Sequence, residues 1–205
     1  GKVRLPTIVD LASIPDTIDG SWWRANGHRI GFGSGGLELH PDDGTALRAS
    51  EIPPAPEPVA AVPFDEAFSG IVGQDALLGL FATDVAASAV RGRSFPHTLF
   101  MGPPGTGKTR LAQSLAAHLG SRFVPTSGPL VQDVHQLVRV LANLCAGDVL
   151  FVDEAHAVPH RVLEALYQAM DSRSLSLSIH QGALVRSIRF DLPRFVLVAA
   201  TSEDQ

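Results

Sequence analysis

The residues Gly102-Pro103-Pro104-Gly105-Thr106-Gly107-Lys108-Thr109 match the pattern G-x-x-x-x-G-K-[ST] at every position. Glycines at this spacing let the backbone wrap a polyphosphate and turn its N–H groups inward. A strand over Thr98–Met101 should precede the loop and a helix should follow from Thr109, so a helix N-terminus would face the same anion. Lys108 would bring a compact cation to the β- and γ-phosphates of a nucleotide, and Thr109 a hydroxyl to Mg²⁺. Of 16 basic side chains only Lys2 and Lys108 are lysines, so this chain otherwise writes its positive charge as arginine. A plain Gly-Pro turn between strand and helix is the alternative, and the lysine argues against it.

A second constellation is Val149-Leu150-Phe151-Val152-Asp153-Glu154, followed by Ala155-His156. Four apolar residues form a buried strand, and two carboxylates emerge at its C-terminal end, the edge where open α/β sheets bind ligands. Asp153 would join the Mg²⁺ shell, and Glu154 would orient and deprotonate an attacking water, which makes the site hydrolytic. Acids at a strand end are weak evidence alone; paired with the phosphate loop upstream they are strong. His156 either relays nucleotide state to a neighbour or caps the loop. A third apolar run, Val196–Ala200, ends in the hydroxyls of Thr201 and Ser202. Beside the acidic strand these would reach the γ-phosphate or the lytic water; elsewhere they are two polar residues at a strand end.

Other patterns carry less. Gly31-Phe32-Gly33-Ser34-Gly35-Gly36 fits G-x-G-x-x-G, but LELHPDDG follows it rather than a helix, so it reads as a β-turn. Trp22-Trp23 reads as the core of a small module or as a stacking platform. The eight histidines show no metal-ligand spacing.

These residues need a scaffold. Apolar spacing predicts helices over Asp75–Arg91, Lys108–Leu119, Val131–Cys145 and Val162–Met170. Short apolar runs without polar alternation predict strands at His97–Met101, Arg122–Val124, Val149–Val152 and Phe195–Ala200. Such strands are covered on both faces, which implies an α/β fold with a parallel sheet. Residues 1–51 differ: they are rich in Gly and Asp, with strand-like pieces at Trp22–Arg24, His28–Phe32 and Leu37–Leu39, and read as a small β-meander. Residues 52–63 hold five prolines and read as an extended linker, leaving 64–205 as the main core. The chain has 205 residues and 45% hydrophobic side chains, enough for a sizeable core. Its net charge of -5 gives no overall basic footprint for nucleic acid. No apolar run approaches a membrane span, and the single Cys145 excludes an internal disulfide and fits a reducing cytoplasm. The opening GKVRLP has neither an initiator Met nor a signal-peptide core, and reads as an internal boundary.

From about Pro63 onward the chain resembles the AAA+ ATPases, and within them the RuvB family of branch-migration motors. The resemblance runs through FSGIVGQD (68–75), HTLFMGPPGTGKTRLAQSLAAHLG (97–120), TSGP (126–129), GDVLFVDEAH (147–156) and SIRFDLPRFVLVAATS (187–202). It implies a P-loop NTPase core with helices on both sheet faces, binding ATP or ADP with Mg²⁺. It implies that Ile71 and Val72 line the adenine pocket, and that the loop from Gly102 to Thr109, with Arg110 after it, holds the nucleotide. It makes Asp153 and Glu154 the Walker B pair, and puts Ser202, with Thr201, at sensor 1. Three departures stand out: Thr106 replaces a usual Leu, the Arg-Pro before the nucleotide segment is missing, and EDQ follows Ser202. In the family a fifth strand, an arginine finger, a helical lid and a winged-helix DNA-binding domain come after this point. An isolated copy of these residues is therefore expected to bind nucleotide weakly and hydrolyse it slowly.

Two functions follow as expectations. One is a homo-oligomeric ring, a hexamer by the resemblance, that moves DNA. The other is a protein-remodelling ATPase that recruits cargo through residues 1–51. Ser174–Ile179 alternates strictly, His180-Gln181-Gly182 supplies a turn, and Leu184–Phe190 runs back, so residues 174–190 are predicted to form a hairpin. Apolar Ala183, Leu184 and Val185 near its tip mark a partner contact, as the resemblance also implies; burial by a neighbouring subunit or by residues 1–51 is the alternative.

Overall fold

The computed structural model describes residues 16–19, 30–33, 36–39, 59–181 and 184–202. The first strands are β1 (Thr17–Asp19), β2 (Ile30–Gly33) and β3 (Gly36–Leu39). Helices α1 (Phe64–Ala67) and α2 (Asp75–Arg91) lead to β4 (Thr98–Met101), α3 (Lys108–His118) and β5 (Phe123–Ser127). Then come α4 (Val134–Ala142), β6 (Val149–Asp153) and α5 (His160–Ser172), and finally β7 (Ser174–Gln181), β8 (Leu184–Asp191) and β9 (Val196–Thr201). The Trp22-Trp23 pair and residues 52–58 of the expected linker lie outside the described residues. Two compact units divide the chain: Pro56–Gln132 with Leu144–Val162 and Pro193–Gln205, and Gly1–Ala55 with Asp133–Asn143 and Leu163–Leu192.

The first unit is built on a four-stranded sheet in the order β4-β9-β6-β5. Every neighbouring pair is parallel. The continuous apolar runs explain this. Val149–Val152 are buried along the whole of β6, so both faces of that strand must be covered. One cover is α3, which presents Leu111, Ala112, Leu115 and Ala116 at helical spacing. They join Phe81 of α2, Phe100 of β4, Phe151 of β6 and Val198 of β9 in one cluster. Phe81 anchors its aromatic part, with ring centroids 5.7 Å from Phe100 and 5.9 Å from Phe95. Burying a Phe or Leu side chain stabilises by about 1.5–3 kcal/mol, so this cluster fixes α2 and α3 against the sheet.

Polar groups set where the strands enter. Asp148, 3% exposed, accepts from Arg122 Nε at 3.2 Å, from Arg122 Nη2 and from the Cys145 N–H at 2.7 Å. That ion pair ties the start of β6 to the start of β5. The Leu197 N–H donates to His97 Nδ1 at 2.9 Å. Burial pushes the His97 pKa down, which keeps the ring in the neutral form that can accept.

The helix predicted over 131–145 is shorter, Val134–Ala142. Gly128–Leu130 takes a 3-10 turn instead, and the Asp133 carboxylate then caps the helix by accepting from the Gln136 N–H at 2.8 Å. The strand predicted at 122–124 runs further, to Ser127, because its ladder with β6 continues to Asp153.

The second unit contains a five-stranded sheet in the order β1-β8-β7-β3-β2. The antiparallel pair β7–β8 is the predicted hairpin. Leu175 faces Phe190 and Leu177 faces Ile188, all four buried, while the alternating Ser176 and Ser178 are exposed. That packed register carries the ladder on to Gln181 opposite Leu184, so His180 and Gln181 belong to β7 rather than to a turn. Neither outer edge of the hairpin is open: β1 runs parallel to β8, and β3 runs parallel to β7. The strands that read as a separate module thus share a sheet with residues 174–191. No helix among the described residues is long and apolar enough to cross a membrane.

Candidate active site

The register of the parallel sheet brings three strand ends together. Met101 at the end of β4 pairs with Thr201 at the end of β9, and Val152, one residue before Asp153, pairs with Ala199. The Gly102 N–H extends the ladder by donating to the Thr201 carbonyl at 3.3 Å. The phosphate loop, the acidic pair and the two hydroxyls therefore open on the same carboxyl edge.

The loop has the form its glycines predict. Gly105 has φ 82° and Gly107 φ 86°, the left-handed region that side chains resist. A Cβ at either would meet nothing within 4 Å, so the backbone angle, not space, requires glycine. Gly107 is the N-cap of α3, and no side chain caps that end. Its first N–H groups face the loop without a side-chain acceptor, as an anion site requires. Lys108 Nζ donates to the Gly102 carbonyl at 2.7 Å and to the Pro103 carbonyl at 3.0 Å. The lysine is folded over the loop it belongs to, its charge placed where an anion would sit. Thr106 Oγ1 bonds back to the Pro103 carbonyl at 2.9 Å and steadies the exposed tip, while the Thr109 side chain is exposed.

Across the edge, Glu154 takes φ 49° and ψ 49°, a left-handed conformation that costs a non-glycine residue of the order of 1 kcal/mol. Its N–H donates to Asp153 Oδ1 at 3.0 Å, which holds the Asp153 carboxylate against the turn. Ser202 Oγ donates to Glu154 Oε2 at 3.1 Å. His156 Nδ1 lies 3.1 Å from Thr201 Oγ1 and 3.4 Å from Glu154 Oε2. Ser202 and His156 thus converge on the Glu154 side chain, and Thr201 holds His156. The sequence leaves their positions open, because strand order is invisible in local pattern.

Two residues of this site have no chemical signature in the sequence. A Cβ on Gly128 would collide with the Glu154 carbonyl oxygen and stand 3.1 Å from Ala157 Cβ. Gln132 Nε2 donates to the Gly128 carbonyl at 2.6 Å and to the Ala157 carbonyl at 3.0 Å. Gly128 and Gln132 therefore clamp the turn that carries Glu154. Gly128→Ala should cost about 1–3 kcal/mol by overpacking and reduce any hydrolysis that depends on Glu154. Unfolding in urea measures the first effect; a variant as stable as the parent would show that the clamp does not constrain the turn.

The remaining candidates are placed as follows. Ile71 packs against the hydrophobic cluster, while the neighbouring Val72 is 89% exposed. Arg110 lies against Gly70 and lines a cavity beside α3. Pro104 is exposed on the loop. At the hairpin, Val185 is 60% exposed, the Leu184 backbone pairs with Gln181, and Ala183 lies outside the described residues.

ATP with Mg²⁺ fits the groups present: left-handed glycines, an uncapped helix start, a lysine lying across the loop, and hydroxyl and carboxylate oxygens from Thr109 and Asp153. Residues 65–205 match the Holliday junction DNA helicase RuvB P-loop domain family. The Thermotoga maritima RuvB Holliday junction branch migration motor is similar at 33% identity and TM-score 0.53, over 64% of this chain and 39% of that one. Two point mutants of the same protein match at 32% and 31% identity, with TM-scores 0.55 and 0.57, over 64% and 66% of this chain and 39% and 42% of theirs. The chain spans about two fifths of the length of these proteins. With the family matched along the whole nucleotide core, the chain belongs to the RuvB-like AAA+ ATPases.

Proposed function

We propose that this chain is the nucleotide-hydrolysing core of a ring motor that acts on DNA in the cytoplasm, coupling Mg-ATP hydrolysis to branch migration. The observation that carries the hydrolytic part is the Glu154 carboxylate held by Ser202 at the edge where the phosphate loop opens. Lys108 exchanges its loop carbonyls for β- and γ-phosphate oxygens. Thr109 and Asp153 would hold Mg²⁺, which when bound would supply charge neutralisation at the phosphates. Glu154 takes the proton of the attacking water, while Ser202 Oγ holds its Oε2. The DNA part rests on the RuvB relatives.

The test is the ATPase of the full-length protein with four-way junction DNA across salt concentrations. A severalfold stimulation that fades as salt rises is expected, since phosphate contacts release counterions. Absence of stimulation by any DNA would remove the DNA motor. One observation favours a second reading, a protein-remodelling ATPase: β1 and β3, two strands from the first 51 residues, pair with the two outer edges of the hairpin marked for partner docking. Under that reading DNA leaves turnover unchanged, and deleting residues 1–51 abolishes capture of a protein cargo.

A further inference from the structure

The β8 edge of the hairpin carries a strand from a distant part of the chain. β1 lies parallel to it, with Thr17 beside Arg189, Ile18 beside Phe190 and Asp19 beside Asp191. The Arg189 N–H donates to the Asp16 carbonyl at 2.8 Å, so the backbone joins the edge one residue before β1 begins. Ile18 is buried next to the fully buried Phe190, while Asp16, Thr17 and Asp19 around it are exposed. The Arg186 guanidinium pairs with the Asp16 carboxylate. An extended segment held by main-chain bonds, with one apolar side chain buried and one charge pair beside it, is how a sheet edge binds a peptide.

β1 is a weak occupant of that edge. It is three residues long, against eight each for β7 and β8. The Asp16 side chain is 89% exposed, so its pair with Arg186 selects more than it stabilises. Asp19 stands beside Asp191, two like charges on neighbouring strands, and Arg189 donates to Asp191 at 2.6 Å. A segment without the second acid would be held better.

We propose that the β8 edge is a peptide-binding site that β1 occupies in the resting chain. Its ligand is an extended protein segment with an aspartate two positions before an aliphatic residue and no acid after it. Binding exchanges strand for strand. β1 leaves, and the segment takes its backbone bonds, with its aliphatic side chain in the place of Ile18 and its aspartate on Arg186. No residue of the phosphate loop or of the acidic pair enters this contact, so it stands apart from the nucleotide reading.

The test is a fluorescein-labelled peptide of residues 13–21 carrying Asp19→Thr, titrated by anisotropy into the full-length protein and its variants. Ile18→Asp drives β1 off the edge from the core side. Asp16→Arg does so from the surface, by setting a cation against Arg186, and leaves the core untouched. Either variant should bind the peptide about tenfold more tightly than the parent, as when a site about 90% occupied is vacated. Adding Arg186→Glu to Ile18→Asp should weaken that binding severalfold, and a peptide carrying Asp16→Lys should recover it. Thermal unfolding checks that each variant folds; if Ile18→Asp does not, Asp16→Arg decides alone. Folded variants that bind the peptide no better than the parent would show that β1 is a fixed edge strand, and the proposal would fall. It would fall equally if a peptide carrying Ile18→Asp bound as tightly.

Discussion

Lys108→Ala should lower ATP affinity by about 100-fold or more, as expected when one member of a hydrogen-bonded charge pair is removed. The lysine is the only basic side chain whose ammonium lies across the phosphate loop among the described residues, 2.7 Å from the Gly102 carbonyl and 3.0 Å from that of Pro103. Both contacts are to exposed or half-exposed backbone, so the alanine variant should fold with α3 and the aromatic cluster unchanged. Calorimetric titration with Mg-ATP, alongside thermal unfolding, separates the two effects. A variant that folds and still binds ATP like the parent would show that residues 102–109 are a structural turn.

Glu154→Gln should leave that titration almost unchanged and reduce hydrolysis by the full-length protein about 10²-fold. Glutamine keeps the shape, tolerates the left-handed backbone as glutamate does, and its carbonyl oxygen still accepts from Ser202. What it loses is basicity. The variant should therefore trap bound ATP, seen as a stoichiometric unhydrolysed complex after rapid gel filtration. Parent-like turnover would take Glu154 out of the mechanism and with it the meaning of the Ser202 and His156 contacts.

The phosphate-loop candidates, Gly102 to Thr109, are legible from sequence because their chemistry needs fixed types at fixed spacing within eight residues. The parallel core is legible for a related reason: uninterrupted apolar runs such as Val149–Val152 admit burial on both faces and little else. Relations across distance are not legible. Nothing near Val196–Thr201 says that β9 inserts between β4 and β6, yet that insertion brings Ser202 to Glu154. Gly128 looks like any turn glycine; its constraint is the carbonyl of a residue 26 positions later, where a Cβ would collide. The pairing of β1 and β3 with the hairpin is equally hidden, because short strands carry too little alternation to name their partners.

The central claim is that the loop and the acidic pair form one ATP-hydrolysing site. A crystal structure of the full-length protein with Mg²⁺ and a non-hydrolysable ATP analogue tests it most directly. The expected result is the triphosphate on the 102–109 backbone, Lys108 Nζ moved from the Gly102 and Pro103 carbonyls to phosphate oxygens, Mg²⁺ between Thr109 and Asp153, and a water against Glu154. A nucleotide bound elsewhere, or Lys108 still on its own loop carbonyls with the analogue in place, would contradict it.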